Sequence, residues 1–582
     1  MYERLQLNAQ QKDENSIKKD QNQSCFKNRM KWFEYDLARG LVAAALATGY
    51  LLILTYLVSD SHIAFLSTNS RWIVNANSGR RVKLACINWP GHMNPLVPEG
   101  LHKKPLKNIT RDIASMGFNC VRLTWATEMF TNKAYTNLTV AQSLDRWNLV
   151  AASFGMAINN PHLLNKTLIE TQMVVVEALG HENLMVILDN HVSFPIWCCD
   201  WNDGNGFFKD LHFNPVEWVQ GLSTVARQYK GNPTVVAMSI RNELRGPRQN
   251  EFDWYQFMEE GATAVHLENV DVLVMVSGLS FETDLSFIRQ RRLNFEVNAN
   301  NKLVYEAHWY AFADPPEKWI FQTNEFCAEI TEWFMNQTGY VIYQRSPTPI
   351  FLSEFGKDLS GASEAENRYF ICVMAFLAEK DLEWALWAIQ GSYYLREGQV
   401  EWEEPYGMYN FGWDNIRNAS VLDLLQLNQQ MIRDPTSEYA TFNAMYHPQT
   451  GRCVLVNKKN VTTSTCNKLQ RWGFDYDDED GSQIKLVGTS GCLTVEGEKL
   501  PVQVTADCSS QKSRWKFVSK SKMHLAAKDE EGKDLCLEWN TLNSTFVTNK
   551  CLCLDDNLVD LPTCPVNPQP QWFKLLKSNK NN

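Results

Sequence analysis

The sequence lacks an excess of positive charge. Its 56 lysine and arginine residues are outnumbered by 66 aspartate and glutamate residues, so the 582-residue chain has a net charge of −10. A nucleic-acid-binding protein needs a basic face that displaces phosphate counterions, and we therefore expect no nucleic-acid partner. Hydrophobic residues make up 44% of the chain and charged residues 21%, a balance typical of a globular rather than a disordered or fibrous protein.

Long uncharged apolar runs are equally scarce, because residues 41–58 form the only one. This run is close to the length of about 20 residues that a helix needs to cross a bilayer. Residues 1–40 before it are polar and basic. The positive-inside tendency therefore predicts a cytosolic tail at 1–40, a transmembrane signal-anchor helix at 41–58, and a type II membrane protein with a lumenal or extracellular bulk. A cleaved signal peptide, which would give a secreted protein, and a buried core helix are the alternatives.

Cysteines and glycosylation acceptors agree with a lumenal location. Fifteen cysteines are many for a cytosolic enzyme but ordinary for a lumenal or secreted one. One Asn-x-Ser/Thr sequon, at Asn22, precedes the apolar run and would stay unmodified in this topology. Seven sequons follow the run, at Asn108, Asn137, Asn165, Asn336, Asn418, Asn460 and Asn543.

Residues 70–443 contain repeated short apolar runs with the character of β-strands. Each run is nearly continuous in apolar residues, as expected for strands buried on both faces of a parallel sheet, and segments long enough for a helix separate them. Eight such units predict an α/β fold of the (β/α)8 TIM barrel type, with an open doubly wound sheet as the structural alternative. The runs begin at Val82, Phe118, Leu184, Thr234, Asp271, Lys302, Pro349 and Leu382.

Polar side chains stand at the carboxyl ends of these predicted strands, where barrel enzymes keep their catalytic residues. Glu243 ends the fourth run and Glu354 the seventh. A buried carboxylate costs free energy unless it is paired, so two of them at the same depth indicate a site. Two carboxyl groups across one cavity suit cleavage of a glycosidic bond, in which one is protonated and the other is ionised. The other candidate site residues are Arg122, His191, Asn242, His308, Tyr310 and Trp387.

The region from about 70 to 440 resembles glycoside hydrolase family 5, whose cellulase-like barrels carry catalytic glutamates on strands four and seven. Arg122, His191 and Trp387 also stand where the family has an arginine, a histidine and a stacking tryptophan. The resemblance implies a retaining β-glycosidase that hydrolyses O-glycosidic bonds in a β-linked polysaccharide or glycoconjugate, without a cofactor or a metal ion. The matching motifs are Arg-Asn-Glu-Leu at 241–244, His-x-Tyr at 308–310 and Ser-Glu-Phe-Gly at 353–356.

The resemblance further implies roles for the two glutamates. Glu243 would be the acid/base and Glu354 the nucleophile, and Arg122 and Tyr310 would bond to Glu354. These two donors should lower the pKa of Glu354 and keep it ionised. Glu243 lies beside the neutral Asn242 and should retain a higher pKa, so that its proton is available near neutral pH.

The remaining four residues would contact the sugar. Asn242 would hold the 2-hydroxyl, His191 and His308 would line the subsite, and Trp387 would stack beneath the ring. A long insertion at 130–170 and the cysteine-containing loop after the third run look like walls of the cleft that are particular to this lineage. The identity of the glycan therefore stays open.

Residues 447–576 differ from the barrel region because eight cysteines crowd into them. Three close cysteine pairs recur along this segment, and a tryptophan stands near the end of each repeat: Trp472, Trp515 and Trp572. Three repeats of this length predict an all-β β-trefoil, with an irregular disulfide-stapled domain as the alternative. The bridges expected from the spacing are Cys453–Cys466, Cys492–Cys508 and one from Cys536 to either Cys551 or Cys553.

This pattern resembles the ricin B-chain type of lectin domain, whose lobes end in Gln-x-Trp. Only the first lobe keeps the motif, at 470–472, whereas the other two read Ser-Arg-Trp at 513–515 and Pro-Gln-Trp at 570–572. The family also has a sugar-binding aspartate two residues after the first cysteine of a lobe. It is replaced by Leu455, Thr494 and Glu538. We therefore expect the trefoil fold, with weak or absent sugar binding.

Two other functions are compatible with parts of the sequence. A membrane anchor followed by a trefoil also describes the polypeptide N-acetylgalactosaminyltransferases. Asp189 and His191 match the metal-binding Asp-x-His of those enzymes and would then hold manganese in a nucleotide-sugar site. A catalytically inactive barrel that serves as a carbohydrate receptor is the third interpretation, although the presence of both Glu243 and Glu354 counts against it.

A few residues with possible chemistry fall outside these patterns. The adjacent Cys198 and Cys199 are interpreted as a structural disulfide or as buried thiols rather than as a redox pair. The acidic run at 475–480 is interpreted as a solvated loop rather than as a calcium site. Three histidines are interpreted as surface or structural residues: His62, His102 and His447.

Overall fold

The computed structural model describes residues 65–293, 297, 300–457, 460–475, 480–554 and 564–580. The chain separates into two units, Met1–Ile63 and Ala64–Asn582, and all elements described below belong to the second. The predicted tail at 1–40, the apolar run at 41–58, His62 and positions 476–479 of the acidic run lie outside the described residues. Within the described part of the chain, no helix has the length and apolarity that a membrane crossing requires.

Eight parallel strands close into a barrel, which confirms the predicted (β/α)8 architecture. The last strand pairs with the first, with Trp384 opposite Ala85, so the sheet has no free edge and the open doubly wound alternative is wrong. The strands are β1 (Ala85–Trp89), β2 (Cys120–Ala126), β3 (Met185–Val192), β4 (Val235–Ser239), β5 (Leu273–Ser277), β6 (Leu303–His308), β7 (Ile350–Phe355) and β8 (Glu383–Leu386).

The burial of these strands explains their continuous apolar runs. Met185 is the only residue of the eight strands that is not fully buried. One face of each strand fills the barrel interior and the other packs against the surrounding helices, so neither face favours polar residues. The charged side chains within these eight strands are therefore exceptions, and each needs a structural or functional explanation.

Helices cover the outside of the barrel, and the insertion between β2 and β3 is helical. Side-chain caps fix several helix starts, as where Thr139 and Thr167 each accept the backbone N–H three residues later. The helices are α1 (Leu106–Ser115), α2 (Glu128–Thr131), α3 (Lys133–Thr136), α4 (Val140–Arg146), α5 (Val150–Asn159), α6 (Leu168–His181), α7 (Pro215–Gln228), α8 (Glu251–Glu268), α9 (Pro316–Phe321), α10 (Thr323–Gln337), α11 (Glu364–Lys380) and α12 (Ser420–Leu425).

Two short hairpins and three disulfides complete the barrel region. One hairpin, Leu66–Asn69 with Trp72–Asn75, precedes β1, and the other, Leu395–Arg396 with Gln399–Val400, follows β8. The six cysteines of the region, which show no pattern in the sequence, are all paired. Cys86–Cys120 joins β1 to β2, Cys327–Cys372 joins α10 to α11, and Cys198–Cys199 joins neighbouring residues.

The C-terminal region consists of antiparallel strands in two sheets. One sheet has eight strands in the order β10-β11-β16-β15-β14-β12-β9-β21, and the other has five in the order β13-β17-β18-β19-β20. The strands are β9 (Phe442–His447), β10 (Arg452–Asn457), β11 (Asn460–Ser464), β12 (Trp472–Gly473), β13 (Ser482–Gln483), β14 (Lys485–Leu486), β15 (Cys492–Thr494), β16 (Gln503–Thr505), β17 (Arg514–Phe517), β18 (Leu525–Lys528), β19 (Asp534–Asn540), β20 (Thr545–Lys550) and β21 (Lys574–Ser578).

The tryptophans and cysteines on which the trefoil prediction depends are buried or paired. Trp472, Trp515 and Trp572 have no exposed surface. Both bridges expected without ambiguity are present, and Cys536 pairs with Cys551 rather than with Cys553. Cys553 instead pairs with Cys564.

The C-terminal region is hydrogen-bonded directly to two barrel helices. The indole N–H of Trp572 donates to Asn324 on α10 at 2.7 Å, and the Asn324 amide donates to the carbonyl of Cys553 at 2.8 Å. Gln569 donates to the backbone of α11 at Arg368, at 2.8 Å. Because Trp572 and Asn324 are both buried, these contacts exclude water and hold α10 firmly in place.

Candidate active site

A pocket of about 1000 Å³ opens at the carboxyl ends of the barrel strands, and six of the eight predicted site residues line it. The other two, Arg122 and Asn242, are fully buried behind the pocket wall and are hydrogen-bonded to each other at 2.9 Å. The six lining residues are His191, Glu243, His308, Tyr310, Glu354 and Trp387.

Glu354 ends β7 and accepts two strong hydrogen bonds. The Arg122 guanidinium donates to Oε1 at 2.8 Å, and the Tyr310 hydroxyl donates to Oε2 at 3.1 Å. Arg122 is itself fixed by Asn88 at 3.0 Å and by Asp189, whose Oδ1 lies 3.0 Å away. These contacts orient the Glu354 carboxylate and leave the face toward the pocket available for a reacting carbon.

Glu243 follows β4 in a backbone conformation that L-residues seldom adopt, with φ of 41°. Its backbone N–H donates to Oε1 of Glu282 at 2.8 Å, which holds this unusual conformation. Its carboxyl Oε1 lies 2.8 Å from Nδ1 of His308. Glu243 therefore contacts a neutral partner, whereas Glu354 contacts a guanidinium.

The two carboxyl groups face each other closely. One carboxyl oxygen of Glu243, one of Glu354 and a ring nitrogen of His308 all lie within 4.8 Å of one another. Retaining glycosidases hold their two carboxyl groups about 5–5.5 Å apart, whereas inverting enzymes need about 6.5–9.5 Å to admit a water molecule. The short separation fits direct attack by one carboxylate on the sugar.

Burial raises the pKa of both glutamates. It raises the pKa of Glu243 to about 7, although Arg245 and Arg122 oppose the shift. It also raises the pKa of Glu354 to about 7, although the Arg122 guanidinium opposes the shift. The expectation that its two donors would give Glu354 a low pKa is therefore wrong, because the cost of desolvating the carboxylate exceeds their effect.

The sequence from residue 78 to residue 392 matches the profile of the cellulase family, glycosyl hydrolase family 5, over more than half of the chain. The protein belongs to glycosyl hydrolase family 5. A glycosyl hydrolase 5 family protein of Chamaecyparis obtusa is 41% identical over 556 residues, which cover 93% of this chain and 98% of that protein. An endoglucanase of Paenibacillus polymyxa is 21% identical over 333 residues, which cover 54% of this chain and 76% of the endoglucanase.

Solved structures share the barrel fold of this chain. The hyperthermophilic endocellulase of Pyrococcus horikoshii aligns with a TM-score of 0.50 at 17% identity, over 63% of this chain and 100% of the endocellulase. The catalytic domain of the major endoglucanase of Xanthomonas campestris pv. campestris aligns with a TM-score of 0.50 at 19% identity, over 63% of this chain and 99% of that domain. The family 5 resemblance inferred from the sequence is confirmed, and the protein is a glycoside hydrolase that cleaves β-glycosidic bonds.

The family 5 barrel contains a second layer of carboxyl groups that the sequence analysis did not identify. Glu282 accepts the N–H of Glu243 and also the hydroxyl of Ser353 at 3.2 Å, and its Oε2 lies 3.2 Å from Nε2 of His308. Glu306, within β6, lies 3.7 Å from Nε of Arg122. Burial raises the pKa of Glu282 well above its ordinary value and that of Glu306 to about 7. Burial therefore favours the protonated form of both carboxyl groups, next to the two glutamates that line the pocket.

The sequence offers a signal for only one of these two acids. Glu306 is a charge inside an otherwise apolar strand run, which marks it as functional or paired. Glu282 follows β5 in the turn Leu279–Glu282, where Ser280, Phe281 and Glu282 all have positive φ. A turn of this kind has no periodicity in the sequence, so its position could not be inferred.

Asp189 and His191 do not form an open metal site in this enzyme. Both are buried, and the two oxygens of Asp189 lie 3.0 Å from Arg122 and 2.6 Å from Nδ1 of His191. Asp189 therefore positions the residues that surround Glu354. The Asp-x-His pattern on which the glycosyltransferase interpretation depended is explained by this role.

The Cys198–Cys199 disulfide forms part of the pocket wall. The two sulfur atoms lie 3.6 Å and 3.8 Å from the Asn242 amide nitrogen, which is also 3.4 Å from Nε2 of His191. The disulfide thus stands between Asn242 and the pocket. The expected contact of Asn242 with a sugar 2-hydroxyl stays a prediction.

Residues from the loops after β3 and β8 complete the pocket; the sequence predicted the first loop as a wall of the cleft, whereas the second was missed. Arg396 stacks on Trp197 with its guanidinium carbon 3.4 Å from the ring centroid. Glu404 accepts hydrogen bonds from the Tyr393 hydroxyl and from the backbone N–H of Tyr406. Arg396 lies in the short hairpin after β8, and Glu404 and Tyr406 lie in the irregular segment beyond it. Neither periodicity nor the barrel count gives a position for these three residues.

Two histidines set aside in the sequence analysis are buried structural residues. His102 stacks on Tyr394 with ring centroids 4.3 Å apart. His447 lies between the side chain of Thr450 and the carbonyl of Pro570, at 2.9 Å and 3.2 Å. Burial lowers the pKa of His102 to about 3 and that of His447 to about 4, so both are neutral at physiological pH.

We expect a bell-shaped dependence of kcat/KM on pH, with its maximum near pH 7, because burial raises the pKa of both glutamates to about 7. Two such close groups titrate as a pair, and the active form carries one proton between them. Below the maximum a second proton neutralises Glu354, and above it Glu243 loses its proton. Initial rates at subsaturating substrate from about pH 4 to about pH 9 would measure both limbs. A rate that stays constant down to pH 4 would show that Glu354 has an ordinary pKa and would contradict this prediction.

Proposed function

We propose that Glu354 is the nucleophile and Glu243 the acid/base of a retaining mechanism in this β-glycosidase. One observation carries the assignment. Glu354 accepts hydrogen bonds from Arg122 and Tyr310, whereas Glu243 contacts the neutral ring of His308. Burial lowers the pKa of His308 to about 4, so it is uncharged at pH 7. Of the two carboxyl groups, Glu354 is therefore the one stabilised as an anion, and Glu243 is the one that takes the shared proton.

In the first step the Glu354 carboxylate attacks the anomeric carbon. The glycosidic C–O bond breaks, and the leaving oxygen takes the proton of Glu243, so the products are a covalent glycosyl ester on Glu354 and a neutral alcohol. The Tyr310 hydroxyl lies 3.1 Å from Glu354 Oε2. It stays hydrogen-bonded to that carboxyl group while the negative charge is lost as the ester forms. Arg122 keeps the other oxygen in place.

In the second step Glu243 acts as a base. It takes a proton from a water molecule that occupies the place of the departed alcohol, and the resulting hydroxide attacks the anomeric carbon. The ester bond to Glu354 breaks and its carboxylate is restored. Glu243 is then protonated again, and two inversions give a product with the β configuration of the substrate.

A β-linked polysaccharide or glycoconjugate is the substrate class that the relatives support. The Paenibacillus relative is named an endoglucanase, and the family profile that matches this chain is that of cellulases. The aromatic side chains of Trp197, Trp387 and Trp402 line the pocket, and such rings stack on pyranose faces. We infer that the glycone is a β-linked gluco- or manno-configured sugar.

The stereochemistry of the first product tests the mechanism. Hydrolysis of an aryl β-glycoside, followed by proton NMR at early times, should show the β-anomer before mutarotation. A panel of aryl β-glucosides, β-mannosides and β-cellobiosides identifies the glycone on which the test is run. Initial formation of the α-anomer would leave both glutamates in the site but would exclude the covalent step.

For the C-terminal region we propose a ricin B-type β-trefoil at 447–576, following the family 5 barrel at 70–443. Three disulfides and three buried tryptophans in equivalent places support three repeated lobes. Sugar binding is expected to be weak. Leu455 and Thr494 offer no carboxylate at the position of the family's aspartate, and Glu538 is already hydrogen-bonded to Gln571 at 2.7 Å.

Calorimetric titration of the full chain with galactose and lactose would test this expectation. We predict no saturable binding below millimolar concentration. Micromolar binding that is abolished by Glu538→Ala would contradict it, whereas the same binding abolished by Trp387→Ala would place the sugar in the barrel.

We further propose that residues 41–58 are a signal-anchor and that the barrel lies in a lumenal or extracellular compartment. Seven disulfides among the described residues suit such an oxidising compartment. Protease treatment of sealed microsomes should leave the chain protected beyond about residue 60. Digestion of the barrel in intact microsomes would exclude this topology, and a mature N-terminus near residue 60 would replace the anchor with a cleaved signal and a secreted enzyme.

A further inference from the structure

The two lining glutamates divide the rim of the barrel into two unequal arcs. The closed strand order places β5 and β6 between β4 and β7 on one side, and β8, β1, β2 and β3 between them on the other. Trp387 directly follows β8 and His191 lies near the end of β3, so the predicted stacking tryptophan and one of the two predicted subsite histidines lie on the longer arc, and His308 lies on the shorter one. The shorter arc, behind Glu243 and after β5 and β6, is then the place for the group that leaves with the proton of Glu243.

The longer arc carries charged and hydrogen-bonding groups. Arg396 and Glu404 line the pocket there together with Trp197 and Trp402. Glu404 is almost fully buried and Arg396 is stacked on Trp197, so both charges are fixed in position. Such groups match the hydroxyls of a sugar chain.

The shorter arc is different, because a cluster of four apolar side chains covers part of its wall, beside the polar Ser280, Thr283 and Asp314. Phe281 comes from the turn after β5, Phe312 from the segment after β6, and Ile330 and Trp333 from α10. Phe312 is 70% exposed and Trp333 41% exposed, so both present open apolar surface toward the solvent side of the pocket. Ile330 offers a sugar neither a stacking face nor a hydrogen bond.

This apolar wall is held rigidly. Phe312 stacks on Tyr310 with ring centroids 4.7 Å apart. Helix α10 is tied to α11 by Cys327–Cys372 and to the C-terminal region through Asn324 and Trp572. A wall fixed in this way binds an apolar group without first paying the entropy of ordering its own side chains.

We propose that the natural leaving group is an apolar aglycone, alkyl or aryl, which binds against Phe281, Phe312, Ile330 and Trp333. The substrate is then a β-glycoside of a hydrophobic alcohol rather than an internal bond of a long glycan. Water and the glycoside yield the free sugar and the free alcohol, as in the two steps above. This inference rests on the proposed role of Glu243, because that residue defines which arc faces the leaving group.

Pairs of alkyl glycosides test the inference without changing leaving-group chemistry. Methyl and octyl β-glycosides have oxygens of nearly equal basicity, so a difference in kcat/KM reports contact with the alkyl chain. With the glycone that the enzyme accepts, and below the micellar concentration, we expect the octyl glycoside to be hydrolysed with a kcat/KM about 100-fold higher than the methyl glycoside. Octyl β-cellobioside should also exceed cellotriose, in which glucose is the leaving group.

Three variants show which side chains contact the alkyl chain. Trp333→Ala should lower the octyl-to-methyl ratio by about tenfold, whereas Trp402→Ala, on the opposite arc, should lower both rates and leave the ratio unchanged. Phe154→Ala is the matched control, since this aromatic side chain is 68% exposed on α5 and does not belong to the pocket wall. It should change neither rate.

The outcomes separate the inference from the proposed function. Turnover with an octyl-to-methyl ratio near one, or cellotriose hydrolysed faster than octyl β-cellobioside, would overturn the apolar leaving-group site alone. Absence of turnover on every β-glycoside by the folded enzyme would overturn the proposed function and the inference with it. If Trp402→Ala removes the preference for the octyl glycoside and Trp333→Ala does not, the alkyl chain lies on the longer arc and the inference is wrong.

Discussion

Replacing Glu354 with alanine is expected to lower kcat by about 10⁴-fold or more on every substrate, because removing a nucleophile eliminates the covalent route itself. The loss should not depend on the leaving group, since no other carboxylate can form the ester. Rates with a nitrophenyl β-glycoside and with a natural β-glycan, measured on the same preparation, would show it. Glu260→Ala is the matched control, because this exposed glutamate on α8 should leave kcat unchanged.

The contacts of Glu354 also show how a loss of catalysis can be distinguished from a loss of the folded state in this test. Glu354 is one of the acceptors of the buried Arg122, and its removal leaves that guanidinium to Asp189 and Glu306. Glu354→Gln keeps the shape of the side chain and should be equally inactive. Thermal unfolding of both variants should remain cooperative. Residual kcat above about one hundredth of wild type in a folded Glu354→Gln enzyme would contradict a nucleophilic role.

Replacing Glu243 with alanine is expected to have an effect that depends on the substrate. General acid catalysis is worth about 10²–10⁴-fold, so hydrolysis of glycosides with poor leaving groups should fall within that range. Nitrophenyl leaving groups need no proton, so their first step should proceed and the covalent intermediate should accumulate as a burst. Stopped-flow release of nitrophenol would record this burst.

Azide provides the complementary result for Glu243→Ala. The missing carboxyl group leaves space beside the anomeric carbon, and the small anion attacks the intermediate without needing a base. We expect azide to restore the steady-state rate and to give a β-glycosyl azide. The Glu354→Ala enzyme should not respond by that route, since it forms no intermediate. Equal azide responses of the two variants, or wild-type rates of Glu243→Ala on a natural glycan, would contradict the acid/base assignment.

Much of the barrel could be predicted from sequence because burial on both faces leaves an unmistakable pattern. Val186, Ile187 and Leu188 in β3, for example, show no accessible surface and form part of a continuous apolar run. The two glutamates were predictable for the complementary reason, since each is a charge at the end of such a run. Their place at the rim follows from the rule that barrel enzymes use the carboxyl ends of their strands.

The parts that could not be predicted depend on loops and on the balance of electrostatic terms. Phe281 and Trp402 lie in irregular segments and Arg396 lies in a two-residue hairpin strand, and the course of all three depends on tertiary packing. The pKa of Glu354 was misjudged because a sequence shows possible donors but not the degree of burial, and burial is the larger contribution here. The partner of Cys536 was likewise undetermined, since Cys551 and Cys553 are equally plausible by spacing.

Labelling with a mechanism-based inhibitor tests the central claim most directly. In a 2-deoxy-2-fluoro β-glycoside the fluorine slows both steps, whereas a good leaving group keeps the first step fast enough for the glycosyl ester to accumulate. Peptide mass spectrometry of the inactivated enzyme should find one sugar per chain, attached to Glu354 within the segment Ile350–Phe355. Attachment to Glu243, to Glu282 or to any other residue would contradict the account.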